Sequence, residues 1–235
     1  MKKTGIFLGV FFFFAGNFLR AQCNVPVNSV YGFTTNGISY ELIKMNMTWT
    51  AAAACAVQRG GKLAEIMSKQ QNDSVFHYVK NKSGINLSST QAPDGGGASY
   101  VWIGGNDKQQ EGVWIWDGDG NLTGPQFWQG TFQNGYAVGG YYVNWGSVNG
   151  GEPDDFSNQD ALGLSLTPWP FGNAGEWNDI SENNTLYFVI QYPSNPTGIH
   201  RLTNSNGYEA IFIPMENQLI LKNAQNIIHV TLFTP

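Results

Sequence analysis

Between Trp145 and Asp179, oxygen-bearing side chains fall in three tight groups: Gly151-Glu152-Pro153-Asp154-Asp155, Asn158-Gln159-Asp160 and Glu176-Trp177-Asn178-Asp179. No histidine or cysteine lies among them. Carboxylates and side-chain amides are hard oxygen ligands. They suit calcium, which takes about 6–8 oxygens at about 2.3–2.6 Å, and do not suit zinc or copper. Asp and Asn are also ordinary turn residues, so composition alone leaves plain acidic turns open. A pair such as Glu152 with Asp179 can also be read as the acid and nucleophile of a glycoside hydrolase. Metal ligation explains the same residues better, and no enzyme is expected. His77, His200 and His229 are scattered without partners at catalytic or metal spacing, and are read as structural or solvated.

Such a site needs elements to carry it. Residues 48–59, rich in alanine, opened by Thr48 and closed by Gly60-Gly61, predict a helix. A second helix is expected from Ser68 through Val75, Phe76 and Val79, ending at Gly84. Beyond residue 86 short β-rich runs at 100–103, 113–116, 161–166 and 187–192 alternate with long Gly, Asn, Asp and Pro stretches. The expectation is an α+β fold with antiparallel sheets. The segment 118–177 is long for so little regular structure, which marks it as functional.

Taken in order, these segments resemble the C-type lectin domain. Cys55 followed by Gly60-Gly61-Lys62-Leu63-Ala64-Glu65-Ile66 is similar to the family's first helix and the strand entry after it. Trp102-Ile103-Gly104-Gly105-Asn106-Asp107 resembles its hallmark core strand, and Glu111-Gly112-Val113-Trp114-Ile115-Trp116-Asp117-Gly118 the next block. Glu152-Pro153-Asp154 is similar to the sugar-coordinating tripeptide, Trp177-Asn178-Asp179 to the second metal-binding motif, and residues 187–192 to the closing strand. Several motifs in order are a stronger signal than any one alone. The resemblance covers residues 31–192. It implies two helices flanking antiparallel sheets, with one Ca2+ surrounded by Glu152, Asp154, Gln159, Asn178 and Asp179 and with Pro153 in the cis form. Asp160 would be a second-shell residue or serve an auxiliary metal position. Sugar would meet Glu152, Asp154, Asn178 and Asp179, with Trp145, Trp169 and Phe171 as aromatic contacts. Trp102, Trp114, Trp116 and Phe188 are read as core.

The departures are specific. The family's closing cysteine position falls on Ile190, and a cysteine of its second bridge on Ala161. Asp154 stands where the mannose-type tripeptide carries Asn, and Gln159 where an acid is usual. The two changes cancel, leaving three carboxylates and two amides, so a working calcium site is expected. The alternative is a degenerate lectin-like domain that binds protein without metal.

The whole 235-residue chain carries a net charge of −5 and 12% charged residues, with 29 Gly and 8 Trp. No concentrated basic face is present, which argues against nucleic acid. Residues 1–21 read as a signal peptide: Met-Lys-Lys, an apolar block at 6–14, and an exit at Ala21. Its removal takes away Lys2, Lys3 and Arg20. No later segment approaches the roughly 20 apolar residues of a membrane span. The expected product is a secreted or surface protein whose partners are glycans or glycoproteins, with its oligomeric state open. Cys23 and Cys55 allow one disulfide, while a buried free Cys55 and a lipid-acceptor Cys23 stay open. The domain is placed at 22–193, with a linker and tail at 194–235. The tail is similar, around Ile213-Pro214-Met215-Glu216-Asn217, to the start of the C-terminal sorting domains of the type IX pathway in Bacteroidetes, in incomplete form.

Overall fold

The computed structural model describes residues 23–193 and the backbone of four strands in the tail. The signal-peptide expectation falls on residues outside this range, as do all the residues between the tail strands, 214–217 of the sorting-domain resemblance among them. Strands β1 (Val30–Thr35) and β2 (Ile38–Met47) form a hairpin turned by Asn36 and Gly37, both at positive φ (+52° and +74°). That pair matches the right-handed strand twist. Helix α1 (Trp49–Gln58) is capped by Thr48, whose hydroxyl accepts from the Ala51 N–H at 3.3 Å. It buries Trp49, Ala52, Ala53 and Ala56, one face at helical spacing. After β3 (Lys62–Leu63), helix α2 (Lys69–His77) is capped by Ser68 and runs into a π-helical turn at Tyr78–Lys82.

The rest of the domain is β4 (Tyr100–Asn106), β5 (Val113–Trp116), β6 (Gln126–Gln129), β7 (Tyr136–Ala137), β8 (Ala161–Ser165), β9 (Trp177–Ile180) and β10 (Leu186–Gln191). The main path of the sheet runs β1-β2-β10-β4-β5-β6-β7, with β3 on β10, β8 on β4 and β9 on β8. The α+β fold with mostly antiparallel pairing is as expected, and one pair in the sheet is parallel. β10 lies parallel to β4, with Tyr187 opposite Val101. Every residue of β4 is buried, and a strand covered on both faces tolerates a parallel neighbour that an edge or half-exposed strand rarely has.

Side-chain alternation splits the core in two. Val101, Ile103 and Val189 join α2's Val75 on one side, whereas Tyr100, Trp102, Phe188 and Ile190 join α1's Ala52 and Ala56 on the other. The two helices thus cover opposite sides of the central strands. Trp102, Trp114, Trp116 and Phe188 are core residues, as read from the sequence.

Cys23 and Cys55 are bridged, with Cα atoms 5.2 Å apart. A bridged sulfur is not open to acylation, so neither the free Cys55 nor the lipid-acceptor Cys23 describes this chain. Ile190 and Ala161, at the family's cysteine positions, are fully buried in the core that also holds Cys55. In the tail, β11 (His200–Thr203), β12 (Glu209–Ile213), β13 (Gln218–Lys222) and β14 (Ile227–Thr231) form their own four-stranded antiparallel sheet.

Candidate functional site

The site is built where the long loop folds back onto β9. Trp145 pairs with Trp177, Gly146 N–H donates to Trp177 O at 2.9 Å, and Glu152 N–H donates to Gly146 O at 2.8 Å. These bonds bring the Glu152 segment beside Asn178 and Asp179. The latter two sit on β9, opposite Gly163 and Leu162 of β8, so strand pairing holds them rather than the loop expected from the sequence. The Glu152–Pro153 peptide is cis. Beyond it Asp155, Ser157 and Asn158 adopt positive φ, a conformation that Asn and Asp adopt more readily than most residues.

Carboxylate oxygens of Glu152, Asp154 and Asp179 lie within 4.8 Å of one another. Each carboxylate is braced through one oxygen. Trp169 Nε1 donates to Glu152 Oε1 at 2.8 Å, Phe156 N–H to Asp154 Oδ1 at 3.0 Å, and Asp155 N–H to Asp179 Oδ2 at 2.8 Å. Glu152 Oε2 and Asp179 Oδ1 are buried without a hydrogen-bond donor among the described residues. Gln159 and Asn178 line the same cleft of about 370 Å³, together with Asp94, Phe156, Trp169 and Phe171.

A cluster of this kind is unfavourable by itself. Burial, reinforced by the charge of Asp154, pushes the Glu152 carboxyl up to about 7. Asp179, wholly buried and facing Glu152, is raised well above the usual carboxylate range. A cation among them would relieve both the desolvation and the mutual repulsion. Two ligands on opposite sides of a calcium ion stand about 4.8 Å apart at an ordinary bond length of about 2.4 Å. The donorless oxygens and the spacing therefore fit calcium.

A second acidic group was not assembled from the sequence. Asp107, Glu111 and Asp160 bring carboxylate oxygens within 4.8 Å of one another. Asp107 Oδ1 is buried without a donor among the described residues, and burial pushes this carboxyl up to about 8. Asp160 thus faces this second group, not the first. The spacing of Asp107 and Glu111, four residues apart around a turn, was the available signal.

Trp145 requires a correction. Its side chain is only 8% exposed, packs edge-on against Trp114 at 4.9 Å in the core, and is not among the residues that line the cleft. Its pairing with Trp177 draws it inward. The aromatic residues at the cleft are Trp169, Phe171 and Phe156, and Phe156, 65% exposed, was overlooked. Trp169 is seated tightly: a Cβ at Gly172 would come within 2.2 Å of its ring, so this position admits only glycine without displacement of the indole.

No helix among the described residues is long and apolar enough to cross a membrane. The Cys23–Cys55 bridge is a bond of oxidising, extracellular compartments.

Several known proteins are similar to this chain. The galactose-specific lectin nattectin of Thalassophryne nattereri is 31% identical over 84 residues, 36% of this chain and 45% of that protein, so the match spans less than half of the relative. Among solved structures, the mouse scavenger receptor C-type lectin carbohydrate-recognition domain is similar at 19% identity, covering 68% of this chain and 91% of that one, with a TM-score of 0.45. Human lithostathine is similar at 18% identity, 68% and 95% coverage, and a TM-score of 0.47. A calcium-independent type II antifreeze protein is similar at 18% identity, 68% and 89% coverage, and a TM-score of 0.44. Residues 45–189, more than half of the chain, match the lectin C-type domain family. This chain belongs to the C-type lectin domain family.

Proposed function

We propose that this domain binds glycans through a calcium ion held by Glu152, Asp154, Gln159, Asn178 and Asp179. The observation that carries the reading is the pair of buried, donorless oxygens, Glu152 Oε2 and Asp179 Oδ1, in a cluster spaced for one cation. Three carboxylates and two amide oxygens leave coordination positions to spare in a shell of about 6–8. Bound calcium would supply those positions to two neighbouring hydroxyls of a sugar. Glu152 and Asp154 can only accept, and so would take the hydroxyl protons. Asn178 and Gln159 each commit one N–H within the protein, to Tyr100 and Asp94, and each keeps one to donate to a sugar oxygen.

Phe156 and Phe171 flank the cleft and offer an apolar face to the ring carbons of a sugar. The galactose specificity of nattectin supports a ligand of that class. Asp107, Glu111 and Asp160 would hold an auxiliary cation beside the first.

Glycan-array binding with and without a calcium chelator tests the reading. Calcium-dependent retention of a set of terminal sugars is expected. Retention indifferent to chelation would point to metal-free binding, and sugar release to a hydrolase; either would refute the proposal.

A further inference from the structure

The segment 91–99 forms one wall of the cleft. A bridge between Gln91 and Ser99 closes it at its base, and Gly95 and Gly97 N–H groups both donate to Ala92 O. Pro93, Asp94, Gly95 and Gly96 line the cleft directly. The Asp94 carboxylate ties this wall to the turn after β9. Its Oδ2 accepts from Ser181 N–H at 2.9 Å, and its Oδ1 from Asn184 Nδ2 at 2.6 Å.

Two side-chain amides are held against this wall nitrogen first, Gln159 directly and Asn178 through Tyr100 of β4. Gln159 Nε2 donates to Asp94 O at 3.2 Å. Asn178 Nδ2 donates to Tyr100 OH at 3.0 Å, and that hydroxyl donates onward to Gly95 O at 2.7 Å. The Tyr100 ring reaches Asn178 by passing over Gly163 of β8, where an added Cβ would meet the ring at 3.2 Å and Ile180 at 2.5 Å. An amide's oxygen and nitrogen are interchangeable in shape and opposite in chemistry, so the hydrogen-bond partners alone decide which end faces which way.

Resting on the calcium reading, we propose that the 91–99 wall sorts the two amides. The Asp94 main-chain carbonyl and the Tyr100 hydroxyl are positioning groups that take one N–H from Gln159 and Asn178, with Phe156 N–H donating to Gln159 Oε1 at 3.0 Å from the other side, so that a free lone pair of each amide oxygen faces the cation. The same arrangement fixes which N–H of each amide is left for a sugar. Selectivity would then be set partly by residues that are not themselves ligands of the metal.

The test has a metal-free arm and a calcium arm. In the chelated protein, side-chain amide signals of Asn178 and Gln159 are identified by their loss in Asn178→Asp and Gln159→Glu. At least tenfold protection from solvent exchange is expected for one proton of each. Tyr100→Phe should abolish that protection at Asn178 and spare Gln159, while Asp94→Ala, which keeps the main-chain carbonyl but cuts the carboxylate ties to Ser181 and Asn184 that hold it in place, should lower protection at Gln159 and spare Asn178. Unprotected amides in the wild type, or signals indifferent to these variants, would overturn the proposal whatever calcium does.

In the calcium arm, Tyr100→Phe should weaken calcium binding about tenfold. In the Asn178→Asp background, whose two oxygens need no sorting, it should change affinity less than twofold. Equal losses in both backgrounds would mean a structural role only and would also overturn it. A wild type that binds no calcium while its amides are protected as described would refute the calcium reading and leave the orientation of the amides standing.

Discussion

The indole nitrogen of Trp169 donates a 2.8 Å hydrogen bond to Oε1 of Glu152, locking one end of a buried carboxylate whose other oxygen has no donor among the described residues. The bond favours the ionised form of Glu152 against the burial that opposes it. Trp169→Phe removes the N–H and keeps most of the apolar ring. Glu152 should then hold its proton to higher pH, and calcium, which must displace that proton, should bind about tenfold more weakly at pH 7. The pH of half-maximal calcium binding should move upward. Calcium titrations across pH 5.5–8.5 check this, and an unmoved midpoint would contradict it.

Acid–base linkage gives the metal-free domain a particular pH response. Folding raises Glu152 from an ordinary 4.5 to about 7 and Asp107 from 3.8 to about 8. An acid raised by folding binds more protons folded than unfolded between those values, so stability falls as pH climbs through the window. The chelated domain should therefore melt at a higher temperature at pH 5 than at pH 8. Calcium should recover the loss at pH 8, where the carboxylates are ionised, and do little at pH 5. Melting curves at both pH values with and without calcium decide it.

Ligand choice should separate from metal binding. Phe156→Ala removes an exposed ring from the cleft rim and keeps the main-chain N–H that donates to Asp154, so glycan affinity should drop about five- to tenfold with calcium affinity unchanged. Asp154→Asn should retain calcium and shift preference toward mannose-like sugars, because it adds an N–H donor beside Glu152. Parallel glycan arrays and calcium titrations on both variants would show the separation.

The Cys23–Cys55 bridge closes a loop across 32 residues. Loop-closure entropy assigns such a bridge about 3–4 kcal/mol. The double variant Cys23→Ser, Cys55→Ala should lose about that much in denaturant unfolding yet still fold, since Ile190 and the surrounding core need no sulfur. Failure to fold would show that the bridge does more than constrain the unfolded chain.

Local signals carried much of this fold. Thr48 and Ser68 cap the two helices as their positions suggest, and the run from Tyr100 to Ile103 is a core strand. The β1–β2 hairpin escaped despite Asn36-Gly37, a strong two-residue turn signal, because the flanking residues mix both faces and alternate imperfectly. The site was legible where its residues are neighbours in sequence, as in Glu152-Pro153-Asp154. Asp107 and Glu111 were absorbed into two separate motifs, the core strand and the block after it, and only the fold carries Asp160 across to them. Trp145 misled for a related reason: a tryptophan in a long loop reads as exposed until a distant partner, Trp177, pulls it inside. Asp94 and Tyr100, which hold the amides from behind, have no sequence pattern at all.

The most direct measurement is calorimetric titration of calcium into the chelated domain, followed by titration of a retained glycan, in the wild type and in Asp179→Ala. Asp179 is fully buried and central to the cluster. The wild type should bind calcium with a dissociation constant on the order of 0.1–1 mM, as extracellular modules do, and bind the glycan only afterwards. Asp179→Ala should lose both together. Glycan binding that survives chelation and Asp179→Ala would contradict the calcium site and leave the aromatic rim as the contact surface.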